Sequence, residues 1–402
     1  MEPDACSPAT LQVEPVRVVI AHSEYLSGPM SGENRVVADE RRLLAEAGHT
    51  VSTLTYSAAG RGGLGLAARA VWNRAATGEL RQLVGRERPD IIHFHNLFPN
   101  LSPAVLRASH AEGVPVVMTL HNFRLACLPA TFLREGRICE DCLGRSLWRG
   151  VAYGCYRESR AASAALAASL ELHRRIRTLH RVDRFLAVSA FVRDKLLASG
   201  LDGGKVHVRR NFAFPVPRRA GPGSYFLILG RLSPEKGLDV VFDAWDGVGT
   251  LVVAGDGPDR RRLESVAPPG VEFRGTVDPD GVPALLSGAR ALLFPSQCYE
   301  GSPRSVVEAL AAGLPVVASA IGGIPEHVEA GANGFLVEPG DAQSWSAAIE
   351  SLRDDRIAIR LGDGAFRTWQ SRFGPDAALA SLEAAYAEAI ELRGTLAPRG
   401  ND

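Results

Sequence analysis

The chain predicts an α/β protein with two doubly wound, parallel-sheet domains, and three observations carry that expectation. Short apolar runs alternate with longer stretches of helical apolar spacing from Val16 to Ala318. The alternation breaks at residues 213–223, Ala-Phe-Pro-Val-Pro-Arg-Arg-Ala-Gly-Pro-Gly, and then restarts. At 402 residues the chain also exceeds one ordinary domain.

Residues 1–14 are mixed and turn-rich and read as a disordered lead-in, leaving 15–212 for the first domain. Its first strand is Val16–Ala21. A loop of small residues follows, Ser27 to Asn34, where Gly32 lets a ligand approach the backbone; a helix then carries Val36, Val37, Leu43, Leu44 and Ala47 on one stripe. The loop is not G-x-G-x-x-G, which disfavours a nicotinamide-dependent dehydrogenase. A second strand covers 49–55, and residues 60–88 run from a Gly-rich start into a basic helix.

The third strand ends in His95-Asn96 and the fourth in His121-Asn122. Ligands of open parallel sheets bind at the carboxyl ends of strands, so these four residues are candidate site residues. Residues 123–158 interrupt the alternation without a regular pattern. Residues 159–181 form an Ala-rich helix ending in His173-Arg174-Arg175-Ile176-Arg177, a basic face that suits either an anionic membrane surface or plain solvent. A fifth strand at 183–189, a helix at 191–198 and a short strand at 205–208 complete the domain.

The second domain, 224–375, has strands at 225–229, 250–254, 271–274, 290–294 and 314–318. Two strings in it carry chemistry. In Leu229-Gly230-Arg231-Leu232-Ser233-Pro234-Glu235-Lys236-Gly237, a strand stops at glycine and two cations follow. Ser233-Pro234 opens a helix whose first turn holds Lys236, and a cation there needs an anion such as a diphosphate. In Tyr299-Glu300-Gly301-Ser302-Pro303-Arg304-Ser305-Val306-Val307-Glu308, Ser302 is the expected N-cap and Pro303 the first helical residue. The amides of Arg304 and Ser305 then face phosphate oxygens, while Glu308 shares their helical face. Carboxylates repel phosphate, so Glu300 and Glu308 suit sugar and ribose hydroxyls. The turns at Gly255 and Val277 follow strands and would line a base pocket.

The string from Glu300 to Val317, with Gly230-Arg231 and Lys236-Gly237, closely resembles the donor signature of family 4 retaining glycosyltransferases. That resemblance spans roughly residues 16–393 and implies the GT-B fold: two Rossmann-like domains facing a cleft, with residues 376–402 as a helix crossing back to the first domain and a tail. It implies a nucleoside-diphosphate sugar donor of the UDP-sugar or GDP-mannose type and transfer to a hydroxyl acceptor with retention, in glycoconjugate, polysaccharide or glycosylated-metabolite synthesis. It places Arg231 and Lys236 on the diphosphate, Glu300 and His121 at the transferred sugar, and Glu308 at the ribose. Relatives generally need no catalytic metal, so no cofactor is expected for catalysis. Two rivals stand beside this reading: another GT-B enzyme, such as an epimerase or phosphorylase, and a nucleotide-sugar-binding regulator without turnover.

Composition agrees with such a partner set. Lys plus Arg and Asp plus Glu both total 45, leaving no net charge to favour nucleic acid. Lysines are only Lys195, Lys205 and Lys236, an Arg bias that hints at a high-GC bacterial genome. No leader pattern or bilayer-length apolar run is present, so the expected place is the cytoplasm, at most at the inner membrane face. The six cysteines are then expected reduced or metal-bound. Cys127, Cys139, Cys142 and Cys155 follow the order C-x11-C-x2-C-x12-C, which suits a structural zinc, with ordinary buried cysteines as the alternative.

Overall fold

A computed structural model describes residues 14–24, 32–56 and 64–396. Residues 1–13 of the lead-in and Ser27–Ser31 of the small-residue loop lie outside the described residues. The first sheet contains β1 (Arg17–Ser23), β2 (Thr50–Tyr56), β3 (Ile91–Phe94) and β4 (Val116–Leu120). A hairpin of β5 (Leu133–Arg134) and β6 (Arg137–Ile138) precedes its last strands, β7 (Arg184–Ala187) and β8 (Val206–Val208). The order is β2-β1-β3-β4-β7-β8, with every neighbouring pair parallel.

The second sheet holds β9 (Tyr225–Leu229), β10 (Thr250–Ala254), β11 (Val271–Gly275), β12 (Ala289–Phe294), β13 (Val316–Ser319) and β14 (Gly334–Val337). Its order, β11-β10-β9-β12-β13-β14, is again all parallel. The central strands are buried on both faces because helices cover each side, which is why they read as unbroken apolar runs. The sheet order reverses direction between β1 and β3 in one domain and between β9 and β12 in the other. These two crevices are where such sheets bind ligands.

The final helix, Pro375–Leu396, returns to the first domain. Leu382, Ala385, Tyr386 and Ala389 pack on Val18, Ile20, Ile91, Val117 and Leu186 in one buried cluster. Tyr386 also places its hydroxyl 2.8 Å from His93 Nδ1.

Two local expectations are corrected. The stretch 123–158 is not without pattern: it holds the β5–β6 hairpin and a short helix, Trp148–Ala152. Its Phe123, Leu128, Phe132 and Leu147 join the first domain's core, so it is no separate appendage. The basic face after residue 172 is also not continuous. His173 is buried, its ring nitrogens 2.8 Å from Thr178 Oγ1 and 2.9 Å from Val71 O, and Arg174 donates to Arg145 O. Burial of His173 beneath the ring of Trp72, on which it stacks, overrode the charge pattern there.

Tyr386→Ala should cost about 3–5 kcal/mol of unfolding free energy through the cavity it leaves. Tyr386→Phe should cost only about 1 kcal/mol, for the single hydrogen bond. Urea denaturation of both variants checks the difference; equal losses would contradict the packing role.

Candidate active site

At the second-domain crevice, the loops after β9 and β12 touch. Lys236 Nζ lies 2.6 Å from Glu300 Oε1, and Ser296 Oγ donates to the same oxygen at 2.8 Å. Burial opposes the charge on Lys236, yet Glu300 outweighs it and raises the ammonium pKa. The anion that Lys236 requires is thus supplied within the chain. Nor does Lys236 sit in an α-helical first turn. Pro234–Lys236 is a single 3-10 turn, and Gly237, at φ 67°, ends it before the helix Leu238–Ala244. A Cβ at Gly237 would fall 2.3 Å from Pro295 O, so only glycine lets these two loops meet.

Arg231 is exposed at the same crevice, and among the described residues it makes no ion pair. The turn before it is closed by glycine: a Cβ at Gly255 would lie 1.8 Å from Gly230 O. Gly255 N donates to Gly275 O at 2.7 Å, and Val277 packs beside the second-domain core.

The helix Arg304–Ala311 begins as the third wall. Its first internal amide bond runs from Val306 to Pro303 O, so the amides of Arg304 and Ser305 precede it. Pro303, not Ser302, occupies the cap position, and no side chain caps the turn. The Ser302 hydroxyl lies instead 2.8 Å from His327 Nε2, whose Nδ1 is 2.9 Å from Gly323 O. A neighbouring buried imidazole took the hydroxyl that local pattern assigned to the cap. Arg304 spans the cleft, with Nε 2.8 Å from Glu308 Oε1 and Nη1 2.6 Å from Asp39 Oδ2 of the first domain. Burial raises the Glu308 carboxyl pKa, partly offset by Arg304.

On the facing domain, His95 Nδ1 and His121 Nε2 are 2.8 Å apart with their rings stacked. Behind them sits Glu40, fully buried on the helix Gly32–Glu46. Its Oε1 lies 2.8 Å from His93 Nδ1 and 3.2 Å from His95 Nε2, and its Oε2 lies 2.6 Å from Arg209 Nη1. Burial opposes this charge, but Arg209 above all holds Glu40 ionised, well below the usual carboxylate range. An ionised Glu40 favours the proton on His95 Nε2, so His95 Nδ1 accepts from His121 Nε2. Burial lowers His95 to about 4 and drives His121 well below its ordinary value, so both are neutral at pH 7.

Glu40, His93 and His95 are the one trio among the described residues whose ligand atoms lie within 4.8 Å of one another. The Arg209 guanidinium already supplies the cation there, and the trio works as a proton-fixing chain. Asn96 is committed to backbone, donating to Ser23 O and Phe98 O and accepting from Phe98 N. Asn122 donates to Glu33 Oε1 at 2.6 Å. Glu33, His95, His121, Asn122 and Arg124 line one pocket at the ends of β3 and β4. Gly32 opens the helix bordering this pocket.

Sequence reasoning missed Glu40, Arg209 and Asp39. Glu40 was findable: it lies four residues after Val36 and three before Leu43, on the apolar stripe of its helix. Glu326, which ends the Gly-rich turn 321–326, has a structural role, its oxygens accepting from Ala190 N at 2.9 Å and Phe191 N at 2.8 Å. That carboxylate caps a first-domain helix from the second domain.

The description "Glycosyltransferase Family 4" fits residues 30–213, and "Glycosyl transferases group 1" fits residues 223–355. The chain belongs to the family 4 glycosyltransferases. It is 29% identical over 314 residues to the 2-deoxystreptamine glucosyltransferase of Streptomyces kanamyceticus, covering 74% of this chain and 77% of that one. Among solved structures it superposes on sucrose-phosphate synthase from Thermosynechococcus elongatus with a TM-score of 0.66 at 19% identity, over 94% and 99% of the two chains. Anabaena HepE in complex with UDP-glucose gives 0.62 at 18%, over 93% and 99%. These likenesses establish the GT-B fold, two Rossmann-like domains on the two parallel sheets described above.

The histidine pKa values set a pH dependence. Burial lowers both His95 and His327 to about 4 in the folded state, so on acidification the unfolded chain binds protons first. Stability is therefore full above pH 6.5 and falls as pH drops toward 4, by about 2 kcal/mol per histidine at pH 5. The urea midpoint should be lower at pH 5 than at pH 7.5, and less so in His327→Gln. A flat or rising midpoint would contradict the neutral buried assignment.

Proposed function

We propose that this glycosyltransferase moves a sugar from a nucleoside-diphosphate sugar to a hydroxyl acceptor with retention of anomeric configuration. The observation that carries the reading is the Lys236–Glu300 contact at the β9–β12 switch point, beside exposed Arg231 and the Arg304 and Ser305 amides, which have no backbone acceptor among the described residues. Departure of the diphosphate concentrates negative charge on its oxygens. Arg231, Lys236 and those two amides stabilise it, being preorganised before the reaction. As the donor binds, Lys236 exchanges part of its bond to Glu300 for a phosphate oxygen, which frees Glu300 to accept from sugar hydroxyls.

Glu308 accepts from the ribose, and Arg304 keeps it oriented through the 2.8 Å contact. His121, held by His95 and Glu40, faces the sugar as a neutral imidazole with a fixed tautomer. The second-domain groups and His121 come from opposite walls of the cleft, so the acceptor enters at the Glu33–Asn122 side. Among the described residues no carboxylate stands out at a nucleophile-like position, and the family resemblance implies same-face attack, with the leaving phosphate taking the acceptor proton. The UDP-glucose bound by HepE, a relative in fold, supports the donor class.

A donor panel with the purified chain tests this. Nucleoside diphosphate should be released quickly only when a hydroxyl acceptor is present, and NMR of the product should show the donor's own anomeric configuration. Glu300→Gln should lower kcat by tenfold or more, and Glu308→Gln should mainly raise the donor KM. Inverted product would overturn the mechanism. Sugar isomerisation without transfer, or donor binding without turnover, would replace it with an epimerase or a regulator.

A further inference from the structure

Cys127, Cys139, Cys142 and Cys155 come from three separate stretches and line a single cavity in the first domain, together with Leu128, Arg134 and Arg149. All four thiols are free of disulfides. The β5–β6 hairpin delivers the chain to Cys139, whose amide donates to Phe132 O at 2.8 Å. Beyond it the backbone turns tightly, Leu143 N to Glu140 O at 2.9 Å and Arg145 N to Cys142 O at 3.1 Å, so both cysteines of the C-x2-C face the same space. The Ala130 amide donates to Cys127 O at 3.0 Å and the Gly150 amide to Leu147 O at 3.0 Å, closing the turns that carry the chain past the cavity.

We propose that these four cysteines hold a structural zinc ion, in a closed tetrahedral site with no position open for catalysis. An all-sulfur donor set selects zinc or iron–sulfur chemistry over calcium or magnesium. Four thiolates around a divalent ion leave a net negative charge, which Arg149 at the cavity wall offsets in part, Arg134 being already paired with Asp141 of the same wall at 2.9 Å. Gly150 permits the lid over the site, since a Cβ there would lie 2.9 Å from Leu128 Cδ1 and 3.7 Å from Cys142 Sγ. No three of the sulfurs meet the 4.8 Å mutual spacing that Glu40, His93 and His95 show. A tetrahedral site needs about 3.8 Å between sulfurs, so metal binding draws the hairpin and the Cys155 turn inward.

The site has a reach beyond its own loop. Glu140, inside the Cys139-Glu140-Asp141-Cys142 turn, accepts from Tyr299 Oη at 2.8 Å and from Lys195 Nζ. The Tyr299 ring sits among Phe123, Phe132 and Phe191, with centroids 6.2, 5.9 and 4.8 Å away. Tyr299 adjoins Glu300 in sequence. The metal therefore fixes the carboxylate that latches the second domain's catalytic-side loop to the first domain.

Elemental analysis of protein purified without chelator tests the site directly. It should find about one zinc per chain in the wild type and close to none in Cys139→Ser or Cys142→Ser. X-ray absorption of the wild type should show a first shell of sulfur alone. Stripping the zinc should raise hydrogen exchange at residues 139–143 and also at 299–301. Metal-free wild-type protein with these four thiols titrating freely would overturn the proposal. So would two disulfides found by mass spectrometry, or iron in place of zinc. Exchange unchanged at 299–301 after zinc removal would overturn the latch.

Discussion

The ion pair between Lys236 and Glu300 joins the two loops that leave the second sheet at its switch point. Its side chains are only 27% and 15% exposed, so solvent screens it weakly, and removing either partner strands a charge in a half-buried crevice. The rest of the cleft follows from that join. Gly237 brings the β9 loop against Pro295, Gly322 and Gly323 bring the next turn against Glu300 and Gly301, and Gly323 N donates to Glu300 O at 2.8 Å. Side chains on these loops face a common space because the backbones beneath them have nowhere else to go.

The opposite wall is built on a second buried charge. Glu40 and Arg209 lie inside the first domain, and their pairing makes it possible to bury His93 and His95 behind the half-buried His121. Arg304–Asp39, Asn211–Ser302 and the Glu326 cap then tie the walls together, each a polar contact between domains. These contacts are of the kind that can break and re-form, unlike an apolar seam, so a cleft that opens and closes around a donor is consistent with them.

Much of the fold was legible in the sequence because central parallel strands are buried on both faces and leave unbroken apolar runs. The second-domain strings were legible for a different reason: Gly230, Gly237 and Pro303 punctuate the chain where loops must turn or approach closely. Other features were not. Glu40 falls on the apolar stripe of its helix, but only the fold reveals that Arg209, 169 positions later, neutralises it. Ser302 looked like a cap because local pattern cannot see His327 coming from another turn. Lys236 looked as if it required a ligand anion because Glu300, its partner, lies 64 positions away.

The most direct test is calorimetric binding of UDP and GDP, without sugar or acceptor, to the wild type, Arg231→Ala and Lys236→Ala. Each substitution removes a charge-assisted contact of roughly 1.5–3 kcal/mol, so the account predicts at least tenfold weaker binding of whichever nucleotide the wild type takes, in a chain that stays folded. Undiminished affinity in both variants would contradict a diphosphate site at the β9–β12 crevice.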